Sequence, residues 1–245
     1  MRESHMPNEN PRFGIYIISY GRWERGIITG KNFVNYRYVV RKSQEQQYRD
    51  HGFGDVWAIE DSEINSYGKV FNYLVDNAPE DVIAIVDDDI DHFAYRFEKL
   101  TDIEDPEIVE SEFTRLAQIL YDLKLGLCTG TPNQNIYTFN GEFTWTGIPG
   151  AWKIINRKCL KARMDPSIGR NMDIDFVMQE NLFNRVILHE RYLATINYTD
   201  ALTNTTGTIV SRKDIDVGLE KMQLKWGKYF FYNEKRKFPV VRIKR

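Results

Sequence analysis

The first half of the chain alternates short apolar segments with helical ones, and this alternation limits the possible folds more than any other feature. Four segments rich in β-branched and aromatic residues are predicted strands: 14–20, 36–41, 55–59 and 82–86. Between them, 44–51 and 67–77 are predicted helices, the second with Ser66 as its N-cap. A β-α-β-α-β order predicts an open, largely parallel sheet with right-handed crossovers.

The second half is less regular and predicts the remainder of a mixed sheet. Helices are predicted at 106–123, 158–162 and 173–184, strands at 125–129 and 151–155, a hairpin at 135–143 and an extended pair at 186–198. We expect the later strands to run antiparallel to the first four. The predicted fold class is therefore α/β, with an open mixed sheet that is parallel in its N-terminal half and flanked by helices.

Composition narrows the class of protein. Of the 245 residues, 42% are apolar and 28% are charged, which is typical of a globular domain. Two cysteines, Cys128 and Cys159, cannot form a disulfide framework, so a reducing, cytoplasmic location is predicted. No apolar run approaches the ~20 residues that span a bilayer, and no membrane partner is expected.

An acidic triplet, Asp87-Asp88-Asp89, follows the fourth predicted strand directly. Side chains alternate along a strand, so Asp87 and Asp89 are predicted to point to the same side. Two carboxylates at a strand end suit a hard divalent cation such as Mg²⁺ or Mn²⁺, especially when substrate phosphates complete the shell. His189 is a candidate additional ligand, although a lone histidine is more often structural. The alternative for the triplet is a solvated acidic turn.

A second acidic pair opens the predicted helix at 173–184. Asp173 and Asp175 lie where acidic side chains usually cap a helix and interact with its dipole. Such a carboxylate can also act as a general base that accepts a proton from an acceptor hydroxyl. Both roles can coexist, with one aspartate capping the helix while the other faces a crevice.

Cations and aromatic side chains near the predicted strand ends supply further candidates. Arg22, Arg41 and Lys69 can neutralise a leaving diphosphate, or they are ordinary surface cations. The loop at 145–152 holds Trp145, Gly147 and Trp152. This loop can contact a sugar face or a nucleobase, and the alternative is a tight turn with its indoles in the core.

These motifs together resemble nucleotide-sugar glycosyltransferases of the GT-A fold. More narrowly, Ser19-Tyr20-Gly21-Arg22, Tyr48 and the triplet with its flanking isoleucines and valine look like phage glycosyltransferases of the TET-associated type, which modify hydroxymethylated pyrimidines in DNA. The resemblance is good over about 13–100 and extends through Asp173-Ile-Asp175-Phe176. Two departures are Lys69, where an arginine is commonly expected, and Asp-Ile-Asp in place of a Glu-Asp pair.

The resemblance implies a role for each matching residue. Asp89 would bind Mn²⁺ or Mg²⁺ directly, and Asp87 would lie nearer the ribose or a metal-bound water. The remaining residues implied to bind the UDP-sugar donor are Ser19, Tyr20, Gly21, Arg22 and Asp88, with Asp61 contacting the base. Asp175 or Asp173 would deprotonate the acceptor in an inverting transfer of a hexose or pentose.

Charge is distributed unevenly along the chain, and this affects which class of acceptor we predict. The formal net charge is −2, but 221–245 holds nine basic residues and one acid, a charge of +8, so the first 220 residues carry −10. Cations interleaved with aromatic residues suit a polyanion with exposed bases. We therefore predict acceptor contacts from Lys225, Trp226 and Lys228; the alternative is a terminal element that packs its aromatic side chains.

The expected function is metal-dependent transfer of a sugar from a UDP-sugar to 5-hydroxymethylcytosine in phage DNA, in the host cytoplasm. The predicted organisation is a flexible leader at 1–12, a catalytic domain at 13–220 with halves at 13–100 and 101–220, and a basic aromatic segment at 221–245. Alternatives are a glycan or small acceptor, a nucleotidyltransferase, or a nucleic-acid-binding module with a degenerate site. Gly21-Arg22-Trp23 is too short for the Gly-rich phosphate loop of a nucleotidyltransferase.

Overall fold

The computed structural model describes residues 10–132, 134–198, 212–233, 235 and 238–242. Eight strands in these residues form the main sheet: β1 (Phe13–Ile18), β2 (Arg37–Arg41), β3 (Val56–Ile59), β4 (Val82–Asp87), β7 (Leu127–Gly130), β8 (Phe143–Thr144), β9 (Trp152–Asn156) and β10 (Leu188–Glu190). Their order is β3-β2-β1-β4-β9-β7-β10-β8. The first four strands are parallel, whereas β9 runs antiparallel to both β4 and β7. The predicted mixed α/β sheet is confirmed.

Helices cover both faces of this sheet. They are α1 (Glu45–Asp50), α2 (Tyr67–Asn77), α3 (Pro106–Asp122), α4 (Met172–Phe183) and α5 (Arg212–Trp226). One apolar cluster joins the sheet to α3 through residues such as Phe113, and a second joins its other face to α2 and α4 through Phe71 and Phe176. The predicted N-cap of α2 is confirmed, because Ser66 accepts a hydrogen bond from the Lys69 amide.

A second sheet contains strands that the sequence analysis did not separate. It has the order β11-β5-β6, with β5 (Ile90–Arg96), β6 (Leu100–Ile103) and β11 (Leu193–Asn197). The chain leaves the main sheet at Asp87, turns through the rest of the acidic triplet and continues as β5. The extended pair predicted at 186–198 is real, but its two strands, β10 and β11, belong to different sheets.

Two predicted elements are wrong, and buried side chains explain both. The hairpin at 135–143 is replaced by a short 3-10 turn, Ile136–Thr138, before β8, because buried Arg96 donates to the Asn135 carbonyl and the Thr138 hydroxyl. The helix at 158–162 does not form. Buried Glu180 accepts from the amides of Lys161 and Ala162, so these amides bond to a side chain.

The C-terminal segment packs on the body of the protein, and a helix spans residue 220, where the sequence analysis placed a boundary. Helix α5 crosses it, and α5 is followed by a hairpin of β12 (Phe230–Asn233) and β13 (Phe238–Val241). Met222 and Phe230 are buried against Ile174 and Met178 of α4 in a third apolar cluster. Most of the predicted leader, 1–9, lies outside the described residues. No helix in the described part of the chain is long and apolar enough to cross a membrane.

Candidate active site

The acidic triplet lies in a tight corner between β4 and β5, and Thr29 fixes the shape of that corner. The Thr29 hydroxyl donates to the Asp87 carbonyl at 3.0 Å and accepts from the Ile90 amide at 2.9 Å. The Asp87 amide donates to the Ala151 carbonyl at 2.9 Å, and the Asp89 carbonyl accepts from the Tyr198 amide at 2.7 Å. The corner is thus held at both ends, and the three carboxylates project from it in defined directions.

Asp87, at the end of β4, lies in a cluster with side chains from α2, β9 and α4. Tyr67, at the start of α2, donates from its hydroxyl to the Asp87 carboxylate at 3.4 Å. Burial raises the pKa of Asp87 to about 7; the Lys153 charge opposes this rise, and the carboxylates of Asp89 and Asp173 add to it. Asp173 lies at the start of α4, far from Asp87 in sequence. The fold therefore brings carboxylates from distant parts of the chain together at one edge of the sheet.

Asp88 points away from this cluster, towards the end of β1. Its carboxylate accepts from the Ser19 hydroxyl and the Arg22 guanidinium, and Ser19 also lies 2.6 Å from the Tyr48 hydroxyl. Burial raises the pKa of Asp88, and Arg22 opposes that rise. Ser19, Arg22 and Asp88, three of the residues implied to bind the donor, therefore lie close together and bond to one another beside the acidic corner.

Asp89 is more accessible than Asp88, with 27% of its side chain exposed against 8%. It lies 3.5 Å from the Arg22 guanidinium and close enough to Asp87 to raise its pKa. Among the described residues, no group of three His, Cys, Asp or Glu side chains could hold a metal alone. Two carboxylates at an open corner instead fit Mg²⁺ or Mn²⁺, which commonly keep waters and substrate phosphates as their other ligands.

The structure does not bring His189 to these carboxylates. His189 lies on β10, three strand spacings from β4, a separation of roughly 14 Å. Its Nε2 donates to the Ile148 carbonyl at 3.0 Å, and its Nδ1 lies 3.2 Å from the Thr144 hydroxyl. Burial lowers the pKa of His189 to about 4, so the ring is neutral at pH 7. The predicted third metal ligand is a buried neutral histidine that holds the loop at 145–150.

The two acids at the start of α4 have different surroundings. Asp173 faces the cluster: burial raises its pKa, and the nearby Lys153 charge opposes this. Asp175 is fully buried on the other side of the helix, where it accepts from Lys225 at 2.8 Å, from Trp226 Nε1 at 2.8 Å and from Gln179 at 2.6 Å. Asp173 is therefore the candidate base, and Asp175 is a structural contact that joins α4 to α5.

The other predicted donor residues line the neighbouring strand ends. Tyr20 is 51% exposed and stacks under the Arg41 guanidinium at 4.1 Å. Gly21 adopts a positive φ of 65° and donates from its amide to Gln44. Asp61 accepts from the amide and hydroxyl of Ser43, and Lys69 is exposed on α2. Tyr20 and Arg41 remain the candidates for contact with a planar base.

Only part of the predicted acceptor loop is open to a ligand. Trp145 is 53% exposed, whereas Trp152 is fully buried in β9 against Phe113, so the prediction that Trp152 contacts the acceptor is wrong. Gly147 packs on the ring of His189. The Gly150 carbonyl accepts from Lys153 at 3.1 Å, which ties the end of this loop to the acidic cluster.

Gly147→Ala is expected to lower the free energy of unfolding by about 1–3 kcal/mol, because overpacking a filled site costs that much. A Cβ at Gly147 would lie 2.5 Å from three ring atoms of His189, and the ring is held by hydrogen bonds from both sides. Urea unfolding measures the change. The matched control is Gly54→Ala, whose Cβ would meet nothing within 4 Å. Equal stability of the two variants would contradict this packing.

Of the three C-terminal residues predicted to contact the acceptor, two are held in packing contacts and one is accessible. Lys225 and Trp226 bond to Asp175, so their polar groups serve packing and are not free for a ligand. Lys228 is exposed, with its ammonium 5.4 Å from the centre of the Tyr229 ring. Of the three, only Lys228 keeps the geometry of an accessible basic contact.

Sequence reasoning missed three residues of the site: Thr29, which shapes the corner, and Tyr67 and Lys153, which belong to the cluster. Thr29 lies in an irregular segment without any motif, and Tyr67 belongs to the apolar stripe of a helix. Lys153 offered one signal, since it is a lone cation within the apolar strand Trp152–Asn156 and is only 2% exposed. Charged residues are almost never fully buried unless they are paired, so a lysine in a central strand indicates a nearby acid.

Solved structures share this fold at low sequence identity. A mannosyltransferase from Pyrobaculum calidifontis, in complex with GDP-Man and Mn²⁺, matches with a TM-score of 0.53 and 12% identity; the match covers 80% of this chain but 59% of the mannosyltransferase. Glucosyl-3-phosphoglycerate synthase from Mycobacterium tuberculosis, in complex with Mn²⁺, UDP-Glc and glycerol 3-phosphate, matches with a TM-score of 0.53 and 10% identity, covering 95% and 88%. No family model and no curated protein matches the sequence. The chain therefore has the fold of GT-A-type nucleotide-sugar glycosyltransferases.

Proposed function

We propose that this protein is a metal-dependent glycosyltransferase that moves a sugar from a nucleoside diphosphate sugar to a hydroxyl acceptor. The observation that carries the proposal is the meeting of Asp87, Asp89 and Asp173 at the carboxyl edge of the parallel strands, where ligands bind in open α/β sheets. The shared fold with two nucleotide-sugar enzymes supports it.

Asp89 and Asp87 would hold Mn²⁺ or Mg²⁺, which stabilises the charge of a departing diphosphate. The Arg41–Tyr20 stack is open to a phosphate or a base, and Arg22, which pairs with Asp88, lies 3.5 Å from Asp89 at the edge of the metal site. In the transfer, the bond from the anomeric carbon to the diphosphate oxygen breaks and a bond to the acceptor oxygen forms. The acceptor proton passes to the Asp173 carboxylate, and nucleoside diphosphate leaves. One base acting in a single displacement would invert the anomeric configuration.

The acceptor that we propose is 5-hydroxymethylcytosine in phage DNA, and UDP-sugar is the proposed donor. Beyond the sequence motifs, exposed basic and aromatic groups near the C-terminus support a nucleic-acid acceptor: Lys228 lies by Tyr229, and Arg242 lies over Phe231 at 4.2 Å. A modified base in a duplex would have to be extruded to reach the acidic cluster, at a cost of a few kcal/mol.

The test is incubation with Mn²⁺, a panel of UDP- and GDP-sugars, and three acceptors: hydroxymethylated DNA, plain DNA and glycerol 3-phosphate. We expect nucleoside diphosphate release together with a mass shift on the hydroxymethylated DNA alone. Release of nucleoside diphosphate with modification of the small acceptor only would overturn the DNA acceptor. No release from any sugar would overturn the glycosyltransferase, and NMR of the product gives the anomeric outcome.

Trp145→Ala is expected to raise the KM for the acceptor by about 5- to 150-fold with little change in kcat, since stacking of a base on an aromatic side chain contributes about 1–3 kcal/mol. Trp145 is half exposed in the loop whose Gly150 carbonyl bonds to Lys153. Steady-state kinetics with varied acceptor measures the effect. The control is Tyr137→Ala, which removes a ring that is 92% exposed in the turn at 136–138. An unchanged KM would exclude Trp145 from acceptor binding.

A further inference from the structure

Lys153 is a buried cation inside the acidic cluster, and neither the fold nor the proposed transfer accounts for it. It lies on β9 between β4 and β7, opposite Ile85 and Thr129, and is 2% exposed. Transfer of an ammonium group from water to such a position is costly unless nearby charges compensate. A methionine or leucine would fill the strand position at no such cost.

The contacts of Lys153 point towards the cluster. Its ammonium donates to the Gly150 carbonyl at 3.1 Å and lies 6.0 Å from the centre of the Tyr67 ring, and Tyr67 donates to Asp87. Within the described part of the chain, Lys153 makes no ion pair shorter than 4.0 Å. Its charge opposes the rise that burial causes in the pKa of Asp87 and of Asp173.

The charges around the corner divide into two sets. Arg22 pairs with Asp88 and lies beside Asp89, so its charge is already compensated. Among the described residues, neither Asp87 nor Asp173 has an ion-pair partner within 4.0 Å. The Lys153 charge opposes the rise in the pKa of both carboxyls, and Arg170 adds a smaller effect at Asp173. Removing it would leave two buried carboxylates repelling each other across a medium of low dielectric constant.

We propose that Lys153 is a positioning residue whose charge takes the place of the metal charge before a divalent cation binds. Its positive charge holds Asp87 and Asp173 together before the divalent cation and the donor bind. Once they bind, the same charge repels the cation and weakens its binding. This inference rests on the metal site of the proposed function. It assigns Lys153 no contact with substrate.

The test compares Lys153→Met, which removes the charge and keeps an unbranched side chain only one atom shorter, with the wild type and with Lys161→Met at an exposed lysine. Melting temperature without metal, melting temperature at saturating Mn²⁺, and Mn²⁺ affinity by calorimetry are the three readouts. For Lys153→Met we expect a lower melting temperature without metal, recovery of most of the loss with Mn²⁺, and Mn²⁺ binding that is about tenfold tighter because a like charge is gone. Lys161→Met should behave as the wild type.

Several outcomes would overturn the proposal. Unchanged or weaker Mn²⁺ binding by Lys153→Met would overturn it. It would also be overturned if Lys153→Met stayed unfolded at saturating Mn²⁺, because a packing role alone would then explain why the lysine is needed. Lys153→Arg, which restores the charge, should return Mn²⁺ affinity towards the wild-type value. Failure of the wild type itself to bind Mn²⁺ would refute the metal site of the proposed function, which distinguishes the two failures.

Discussion

Asp173→Asn is expected to lower kcat by about 10²–10⁴-fold, the contribution that a positioned general base makes. Asn cannot accept the acceptor proton, and the substitution keeps the size of the side chain. Because burial raises the pKa of Asp173 above its ordinary value of 3.8, the carboxylate is lost at a higher pH than usual. Wild-type kcat should therefore fall as pH decreases through that raised pKa, and the residual activity of Asp173→Asn should lack this fall.

Asp175→Asn is the matched control, two residues further along the same helix. Asp175 accepts from Lys225 and Trp226 in a fully buried position, so we expect a loss of about 2–3 kcal/mol in unfolding free energy, with kcat changed much less. Urea unfolding and steady-state kinetics on both variants separate the two roles. Loss of kcat in Asp175→Asn with full activity in Asp173→Asn would reverse the assignment.

The sequence predicts the parallel half of the sheet because its signals are local. Each of the first four strands is an apolar run that ends in a polar residue, and parallel strands bring such ends to one edge. That argument places Asp87 beside Ser19 and Arg22 without any tertiary information. The argument does not extend beyond Asp87, because no local signal in the sequence indicates that the chain turns there and continues as β5 in the second sheet.

The division of roles within the candidate site depends on tertiary neighbours and is not readable from spacing. Asp173 and Asp175 are equivalent in sequence, and they differ because α5 packs on one side of α4 and brings Lys225 and Trp226 to Asp175. The acceptor contacts predicted for the basic segment at 221–245 depend on tertiary neighbours in the same way. Its aromatic and cationic residues are partly used in that packing, which composition cannot reveal.

Asp89→Asn is expected to weaken Mn²⁺ binding by more than about a hundredfold and to lower kcat/KM for the donor by about 10³-fold, because a direct ligand contributes several kcal/mol through the metal. Asp89 is the accessible carboxylate of the corner, and its backbone is held by Tyr198, so the substitution leaves the fold intact. Calorimetry with Mn²⁺ and kinetics over a range of metal concentrations measure the two effects.

The neighbouring acid supplies the control for this prediction. Asp88→Asn changes one charge next to Asp89 but acts on the buried pair with Arg22, so its main effect should be a loss of about 1–3 kcal/mol in stability, with Mn²⁺ binding weakened less than tenfold. If the two variants lost Mn²⁺ affinity equally, the corner would attract the cation only through its overall negative charge, and Asp89 would not be a ligand. A difference of ten times or more between them requires direct coordination, since both substitutions remove the same charge from almost the same place.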